Sequence, residues 1–204
     1  MDLLNLPPTK AFLYAPAHKD PNLHPPDLSV EEELVDLGFT SLCGVDEAGR
    51  GPLAGPVVCA AVVLDRDNVP SGLHDSKRLT ETARQSLYHD ILATSAISVA
   101  HAAPNTIDRL NIRNATLHTM AKAVRTLPVV PDAALIDGNA LPVKASIPMW
   151  PMVKGDGRSA SIAAASIVAK TVRDQLMNEA HEFWPHYGFA QHMGYPTAAH
   201  RAAL

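Results

Sequence analysis

The chain is poor in cysteine and has no long hydrophobic run, and both shortages narrow its possible functions. Cys43 and Cys59 are its two cysteines among 204 residues, which excludes a disulfide-rich scaffold. Both stand in apolar segments without a CxxC spacing, so we expect buried free thiols. No apolar run approaches the ~18 residues of a membrane span, and residues 1–10 lack the basic and apolar regions of a secretory signal. We therefore expect a cytoplasmic protein without membrane association.

The chain also lacks an excess of positive charge and the common cofactor motifs. Its net charge of −4 at pH 7 provides no general attraction to nucleic acid, so a phosphate-binding surface would have to be local. Neither a GxGxxG nor a GxxxxGK[ST] loop is present, and the HExxH spacing of zinc enzymes is missing. Ten histidines occur; among them, His186, His192 and His200 are predicted to lie at the surface or to support other site residues.

What the sequence does contain is an alternation of strand-like and helix-like segments. Residues 1–26 are rich in proline and predict an irregular or mobile arm. Residues 28–37 predict a short helix, with Ser29 as its N-cap and Glu32 completing a capping box. Strands are predicted at 42–45, 57–64, 97–102 and 133–136, and helices at 80–91, 106–127 and 159–183. Strands alternating with helices after an opening strand pair predict a mixed α/β fold.

Acidic residues follow two of the predicted strands. Asp46 and Glu47 come directly after one apolar run, and Asp137 ends another. Ligands commonly bind at strand ends in α/β folds, and Mg²⁺ and Mn²⁺ prefer carboxylate oxygens. Asp174 lies in an alanine-rich predicted helix that is thin enough to pack closely against a sheet. Taken singly, Asp137 is more often a turn residue and Asp174 a solvated helix position, so the metal-site hypothesis depends on their combination.

A glycine-rich connection follows the first carboxylates. Gly49 and Gly51 flank Arg50, and small residues let backbone N–H groups approach a phosphate or a sugar. Arg50 has room for a forked contact to phosphate. Lys77 lies in a second loop and is either a solvated surface residue or a phosphate contact. A glycine-rich loop alone is weak evidence for any one ligand.

The segment DEAGRGPLAGPV, which begins at Asp46, resembles the opening signature of the type 2 ribonucleases H, the ribonuclease HII family of bacteria. The resemblance covers about residues 43–200 in family order, and it implies an α/β ribonuclease H-like fold with a central mixed β-sheet flanked by helices. The matching segments further along the chain are Asp75-Ser76-Lys77, Asn111-Ile112, Asp137-Gly138-Asn139, Lys154-Gly155-Asp156, 161–170, Arg173-Asp174, 187–189, Gly194-Tyr195 and 197–200.

The resemblance implies a metal-dependent endoribonuclease. Such an enzyme hydrolyses the RNA strand of RNA–DNA hybrids and cuts 5′ of single ribonucleotides in duplex DNA, leaving a 3′-hydroxyl and a 5′-phosphate. It serves in ribonucleotide removal from DNA and RNA primer removal, and is expected to be a monomer. The implied catalytic residues, which hold two ions of Mg²⁺ or Mn²⁺, are Asp46, Glu47, Asp137 and Asp174.

The resemblance also implies roles for the residues that contact the substrate. Gly49, Arg50 and Gly51 would contact the 2′-hydroxyl and the phosphate at the junction between RNA and DNA. The 2′-hydroxyl is the group that distinguishes RNA from DNA at one site. Tyr195 matches the tyrosine that stacks on the sugar after the ribonucleotide, and Lys77 is a candidate phosphate contact.

Three departures from the family pattern bear on affinity. Met193 stands where the family usually has lysine, the family's C-terminal tail is expected to be missing after residue 204, and the arm before residue 28 has no placed counterpart. We expect an arm with a short helix at 1–40 and the ribonuclease H-like catalytic domain at 41–204. The alternative is a non-catalytic protein that binds RNA–DNA hybrids. Clustered carboxylates without metal would repel the phosphates, which favours the enzyme.

Overall fold

A five-stranded sheet forms the centre of the computed structural model, which describes residues 25–142 and 146–204. The strands are β1 (Leu42–Ala48), β2 (Val57–Leu64), β3 (Ser95–Ala102), β4 (Ala133–Asp137) and β5 (Met149–Met152). They lie in the order β3-β2-β1-β4-β5. The first three pair antiparallel, whereas β4 and β5 run parallel to β1. The predicted mixed sheet is confirmed.

Helices cover both faces of this sheet, as predicted. They are α1 (Ser29–Asp36), α2 (Glu81–Thr94), α3 (Pro104–Leu110), α4 (Ile112–Arg125), α5 (Ala160–Phe183), α6 (Phe189–His192) and α7 (Ala198–Ala203). Apolar residues of α3 and α4 pack on one face, and those of α2 and α5 on the other. Because β2 is covered on both faces, seven of its eight residues are buried, which explains its continuous apolar sequence.

The long helix α5 lies unusually close to the sheet. A Cβ atom at Gly44 in β1 would overlap the backbone of Ser161 near the start of α5. The following alanines at 163–165 are fully buried against strand residues. Small side chains on both elements therefore permit the close approach that the alanine-rich sequence predicted, and they fix α5 beside the ends of β1 and β4.

The structure corrects two helix predictions. Helix α1 begins at Ser29, so Leu28 rather than Ser29 occupies the N-cap position, and the Leu28 side chain makes no capping hydrogen bond. The helix predicted at 106–127 is divided into α3 and α4 by Asn111, whose φ is 63°. The Asn111 side chain accepts a hydrogen bond from Asn114 N at 3.0 Å and so caps α4. Apolar periodicity continues through this break, which is why it predicted a single helix.

The described part of the predicted arm packs on the rest of the molecule. Leu34 and Phe39 are buried in a cluster with residues of β1, β4, β5 and α5. Glu31 of α1 is buried too, and its carboxylate accepts hydrogen bonds from the hydroxyl groups of Ser159 and Ser161 at 2.6 Å each. Residues 1–24 lie outside the described structure. The boundary at residue 40 remains a prediction, although α1 shares a core with the sheet.

The sequence also led to expectations about the two cysteines and about membrane-spanning segments. Cys43 and Cys59 are buried free thiols, as predicted. Within residues 25–142 and 146–204, no helix has the length and apolar character needed to cross a membrane.

Candidate active site

The sheet brings three carboxylates together at one edge. Strands β1 and β4 are parallel neighbours, and Val45 is registered opposite Ile136. The next residue on each strand is therefore an aspartate, Asp46 on β1 and Asp137 on β4. Ligand oxygens of Asp46, Glu47 and Asp137 all lie within 4.8 Å of one another. Parallel pairing thus unites three of the four predicted acidic residues.

This acidic cluster carries more negative charge than its surroundings balance. Asp46 is 4% exposed, and burial raises its pKa well above the ordinary value, with further increases from Asp137 and Glu47 and a hydrogen bond from Ser166 opposing them. Burial also raises the pKa of Glu47, although the Arg50 guanidinium at 3.0 Å opposes that increase. The pKa of Asp137 is likewise raised, first by burial and then by Glu47. A bound cation would relieve this repulsion.

Asp156 is a further carboxylate near this cluster, and the sequence assigned it no role. It lies in a short 3₁₀ turn, Gly155–Gly157, and the backbone N–H of Gly155 donates to Asp137 Oδ1 at 2.7 Å. Burial and then Asp137 raise the pKa of Asp156 to about 6. Its charge in turn raises the pKa of Asp46 and Glu47. The signal was present in the sequence, because this aspartate lies inside one of the segments that carry the family resemblance.

Asp174, the fourth predicted ligand, lies outside the three-carboxylate cluster within the described part of the chain. Its carboxylate is engaged by two cations: Arg84 Nη2 lies 3.1 Å from Oδ2, and Lys170 Nζ lies 2.6 Å from Oδ1. Lys170 comes one helical turn earlier on α5, and Arg84 comes from α2, which packs beside it. At its position on α5, Asp174 is therefore outside the cluster and has its charge balanced by Arg84 and Lys170.

A chain of hydrogen bonds nevertheless links Asp174 to the cluster. Arg84 also donates to the backbone carbonyl of Ser76 at 3.4 Å. The hydroxyl groups of Ser76 and Ser166 are 2.9 Å apart, and Ser166 hydrogen-bonds to Asp46. Asp174 thus supports the loop before Lys77 and, more remotely, a carboxylate of the cluster.

The predicted substrate-contacting residues lie together beside the carboxylates. Gly49 has a φ of 106°, and a Cβ atom there would overlap the Arg173 side chain and the neighbouring backbone. Arg50 is exposed and pairs with Glu47. A Cβ atom on Gly51 would lie 3.5 Å from Cε1 of Tyr195, which is 42% exposed. The glycine-rich loop and Tyr195 therefore form one continuous surface.

Basic side chains stand on two sides of the cluster. Lys77 is exposed; partial burial lowers its pKa, but Asp75, Asp156 and other nearby carboxylates together raise it above the ordinary value. Arg113 of α4 lines a cleft with Arg50, Asp137 and other residues. Arg113 was not predicted, since it looks like an ordinary charged residue on a helix. Both positions suit contacts to a phosphate backbone.

The three histidines take different positions. His186 is exposed, whereas His192 and His200 are 9% and 0% exposed, and their rings stack with centroids 4.4 Å apart. A ring nitrogen of His200 lies 2.9 Å from the backbone carbonyl of Tyr195. Of the two predicted alternatives, His192 and His200 thus take the supporting one, beneath the turn that presents Tyr195.

A mixed sheet flanked by helices, with clustered carboxylates at the ends of two parallel strands, is the arrangement expected of a metal-dependent nuclease with the ribonuclease H-like fold. The family model described as ribonuclease HII matches residues 43–204. The chain is 56% identical over 174 residues to the ribonuclease HII of Dechloromonas aromatica, covering 85% of this chain and 87% of that protein. The chain therefore belongs to the ribonuclease HII family, whose activity is metal-dependent endonucleolytic hydrolysis of RNA in RNA–DNA hybrids.

Solved structures agree with this assignment. The ribonuclease H2 of Pyrococcus horikoshii superposes with a TM-score of 0.69 at 26% identity, covering 79% of this chain and 83% of that one. Bst-RNase HIII in complex with Mn²⁺ superposes with a TM-score of 0.53 at 26% identity, covering 73% of this chain and 56% of that one. The predicted ribonuclease H-like fold is confirmed.

Proposed function

We propose that this enzyme also cuts 5′ of a single ribonucleotide embedded in duplex DNA, leaving a 3′-hydroxyl and a 5′-phosphate. The observation that carries the proposal is the position of three clustered carboxylates beside a glycine-rich loop that itself lies next to Tyr195. Carboxylates suit the cutting of a phosphodiester, whereas a small-residue loop beside an exposed aromatic ring suits the recognition of one sugar. A hybrid-cleaving enzyme without junction recognition would need only the first.

The residues present fit divalent cations. All donors are carboxylate oxygens, the ligands that Mg²⁺ and Mn²⁺ prefer, and Glu47 Oε2 is buried without a hydrogen-bond partner. When bound, two such ions supply activation of the attacking water and charge stabilisation of the leaving 3′-oxygen. The Mn²⁺ complex of Bst-RNase HIII supports Mn²⁺ as one candidate, and Mg²⁺ is the other.

We assign metal binding first to Asp46, Glu47 and Asp137. The resemblance names Asp174 as the fourth ligand, but its two oxygens already accept from Lys170 and Arg84. Asp156 is the stronger candidate because none of the ion pairs found among the described residues includes it, and because the charge of Asp137 helps to raise its pKa. Asp174 is then better suited to supporting the site than to holding an ion.

The substrate-reading roles follow the geometry of the loop. Backbone N–H groups at Gly49 and Gly51 can approach the 2′-hydroxyl because no side chain intervenes. The exposed Arg50 guanidinium suits the adjacent phosphate. Tyr195 would stack on the sugar that follows the ribonucleotide, and Lys77 would contact a phosphate from the other side of the cluster.

In the cell, such an enzyme would remove ribonucleotides from DNA and hydrolyse RNA primers. Its partners would be RNA–DNA hybrids and DNA duplexes that contain ribonucleotides. We propose that it acts as a monomer in the cytoplasm and needs no membrane.

The test uses a labelled DNA duplex with one ribonucleotide, a uniform RNA–DNA hybrid and an all-DNA duplex. Each is incubated with Mg²⁺, Mn²⁺ or chelator. We expect metal-dependent cutting 5′ of the ribonucleotide and within the hybrid RNA, with the all-DNA duplex intact. Asp108→Asn, which changes an exposed aspartate of α3, serves as the matched control for Asp46→Asn and should retain full activity.

The same experiment decides the alternative of a non-catalytic binder. Retained hybrid binding without cutting under either metal would favour that alternative. The crowded acidic cluster disfavours it, because carboxylates that repel phosphate weaken binding unless cations are held between them.

A further inference from the structure

Arg173 is a buried cation whose hydrogen bonds go to backbone carbonyls. It is 1% exposed, and it donates through Nε to Pro56 O at 3.1 Å, through Nη2 to Ala54 O at 3.1 Å and through Nη1 to Met193 O at 2.9 Å. The three ion pairs found within the described residues do not include it. Its charge is thus surrounded by peptide oxygens.

Burying this guanidinium is costly, which indicates that its geometry is needed. Removing a cation from water without an ion-pair partner costs several kcal/mol. Burial lowers the pKa of Arg173, although the charges of Tyr195 and Asp174 oppose that decrease. An apolar side chain would fill the same space without that cost. The planar guanidinium, however, presents five N–H donors in a rigid fork and can reach carbonyls on different segments at once, which lysine cannot.

The three carbonyls belong to the two segments expected to read the substrate. Ala54 and Pro56 lie in the connection from β1 to β2 that contains the glycine-rich loop, and Met193 lies two residues before Tyr195. The same segments meet directly as well, since Leu53 N donates to Gly194 O at 2.9 Å. Arg173 therefore links the connection that contains the glycine-rich loop to the segment that precedes Tyr195.

We propose that Arg173 is a positioning residue for ribonucleotide recognition, which sets the spacing between Gly51 and Tyr195. This inference rests on the proposed junction-reading function of those two residues. The clustered carboxylates are held instead by the pairing of β1 with β4. Loosening Arg173 should therefore impair recognition of a single ribonucleotide more than cleavage of a uniform hybrid.

The experiment compares wild type with Arg173→Lys and Arg173→Met. For each protein, kcat and KM are measured on a DNA duplex with one ribonucleotide and on a uniform hybrid of equal length. We expect the ratio of the two kcat/KM values to fall about tenfold, as for the loss of about 1.4 kcal/mol of positioning. Met177→Leu is the matched control, because Met177 packs on Gly55 and Gly194 without hydrogen-bonding to them; it should keep the ratio.

A double-mutant cycle separates positioning from general support of the fold. If Arg173 acts through Tyr195, Arg173→Lys should change the ratio little in a protein that already carries Tyr195→Ala. Equal losses on both substrates, an unchanged ratio, or full additivity with Tyr195→Ala would overturn the proposal.

A second variant guards against loss of folding. If neither Arg173 variant melts cooperatively, Gly194→Ala decides, because its Cβ would overlap the backbone at Ala54 and push the same segments apart. A lowered ratio in that variant supports the proposal, and a normal ratio overturns it. Failure of wild type to cut at the single ribonucleotide would instead reject the proposed function. An intact wild-type preference with unaffected variants rejects only the role of Arg173.

Discussion

Asp174 and the three clustered carboxylates of this molecule differ in how their charges are balanced. Asp174 is paired with Arg84 and Lys170, so its charge is compensated within the fold. Ligand oxygens of Asp46, Glu47 and Asp137, in contrast, lie within 4.8 Å of one another. Among the described residues, the one ion pair that involves these three carboxylates joins Glu47 to Arg50.

This difference is the basis on which we propose a structural role for Asp174 and a metal-binding role for the other three carboxylates. A buried charge paired by the fold contributes to the fold, and removing its partner is costly. Buried like charges without matching cations make the empty site unfavourable, and such an arrangement favours a ligand of opposite charge. The sequence alone does not reveal this difference, because the family resemblance assigns all four residues to the same set of metal ligands.

Among variants that test this difference between the carboxylates, Asp46→Asn should have the largest effect on activity. Losing a metal ligand while keeping the shape should lower the single-turnover cleavage rate by at least about 10³-fold. Because the pKa of Asp46 is raised by burial and by its neighbours, the metal-free variant should melt at the same temperature as wild type or higher. Cleavage assays and thermal melting in chelator check this. Full activity would remove Asp46 from the metal site.

Asp156→Asn and Asp174→Asn sharpen the contrast most directly. We expect Asp156→Asn to lower activity about 10²-fold and to raise the metal concentration needed for half-maximal rate. Asp174→Asn should leave the metal requirement unchanged but destabilise the protein by about 3 kcal/mol, because Arg84 loses its partner. Metal titrations and urea unfolding measure both. The reverse pattern would restore Asp174 as the fourth ligand.

Tyr195→Ala tests a residue that belongs to neither carboxylate group. Loss of stacking on the sugar should lower kcat/KM about tenfold on a duplex with one ribonucleotide, and less on a uniform hybrid. The metal requirement should not change, because Tyr195 lies beside Gly51 of the glycine-rich loop and is not one of the clustered carboxylates. Equal losses on the two substrates would count against a sugar-reading role.

The smallest effect expected is a pH dependence of the metal-free protein. The pKa of Asp156 is raised from 3.8 to about 6, so between these values the folded protein keeps a proton that the unfolded chain releases. Stability should therefore fall as pH rises through this window. Melting temperatures in chelator should show this decline, with a weaker slope in Asp156→Asn.

At pH 7, added Mg²⁺ should raise the melting temperature, and no change with metal would contradict a cation site.

Much of the fold could be predicted from the sequence because its signals are local. The apolar run of β2 and the capping residue Thr80, which accepts from Ala83 N at 3.2 Å, are both legible along the chain. The break at Asn111 was missed because a positive φ leaves no trace in hydrophobic periodicity. The sequence also left undecided whether His192 and His200 are buried, because the turns between them bring their two rings into a stack.

By itself, the sequence determined the mixed α/β class, the family resemblance and the residue types available for metal binding and substrate contact. Only the tertiary structure decided which acids share a site. Parallel pairing of β1 with β4 unites Asp46 and Asp137, and the turn after β5 places Asp156 where the charge of Asp137 acts on it. Packing of α2 on α5 pairs Asp174 with Arg84. The physical reason is that the effect of a charge depends on which other charges lie within a few ångströms, and those distances are set by contacts between segments far apart in the chain.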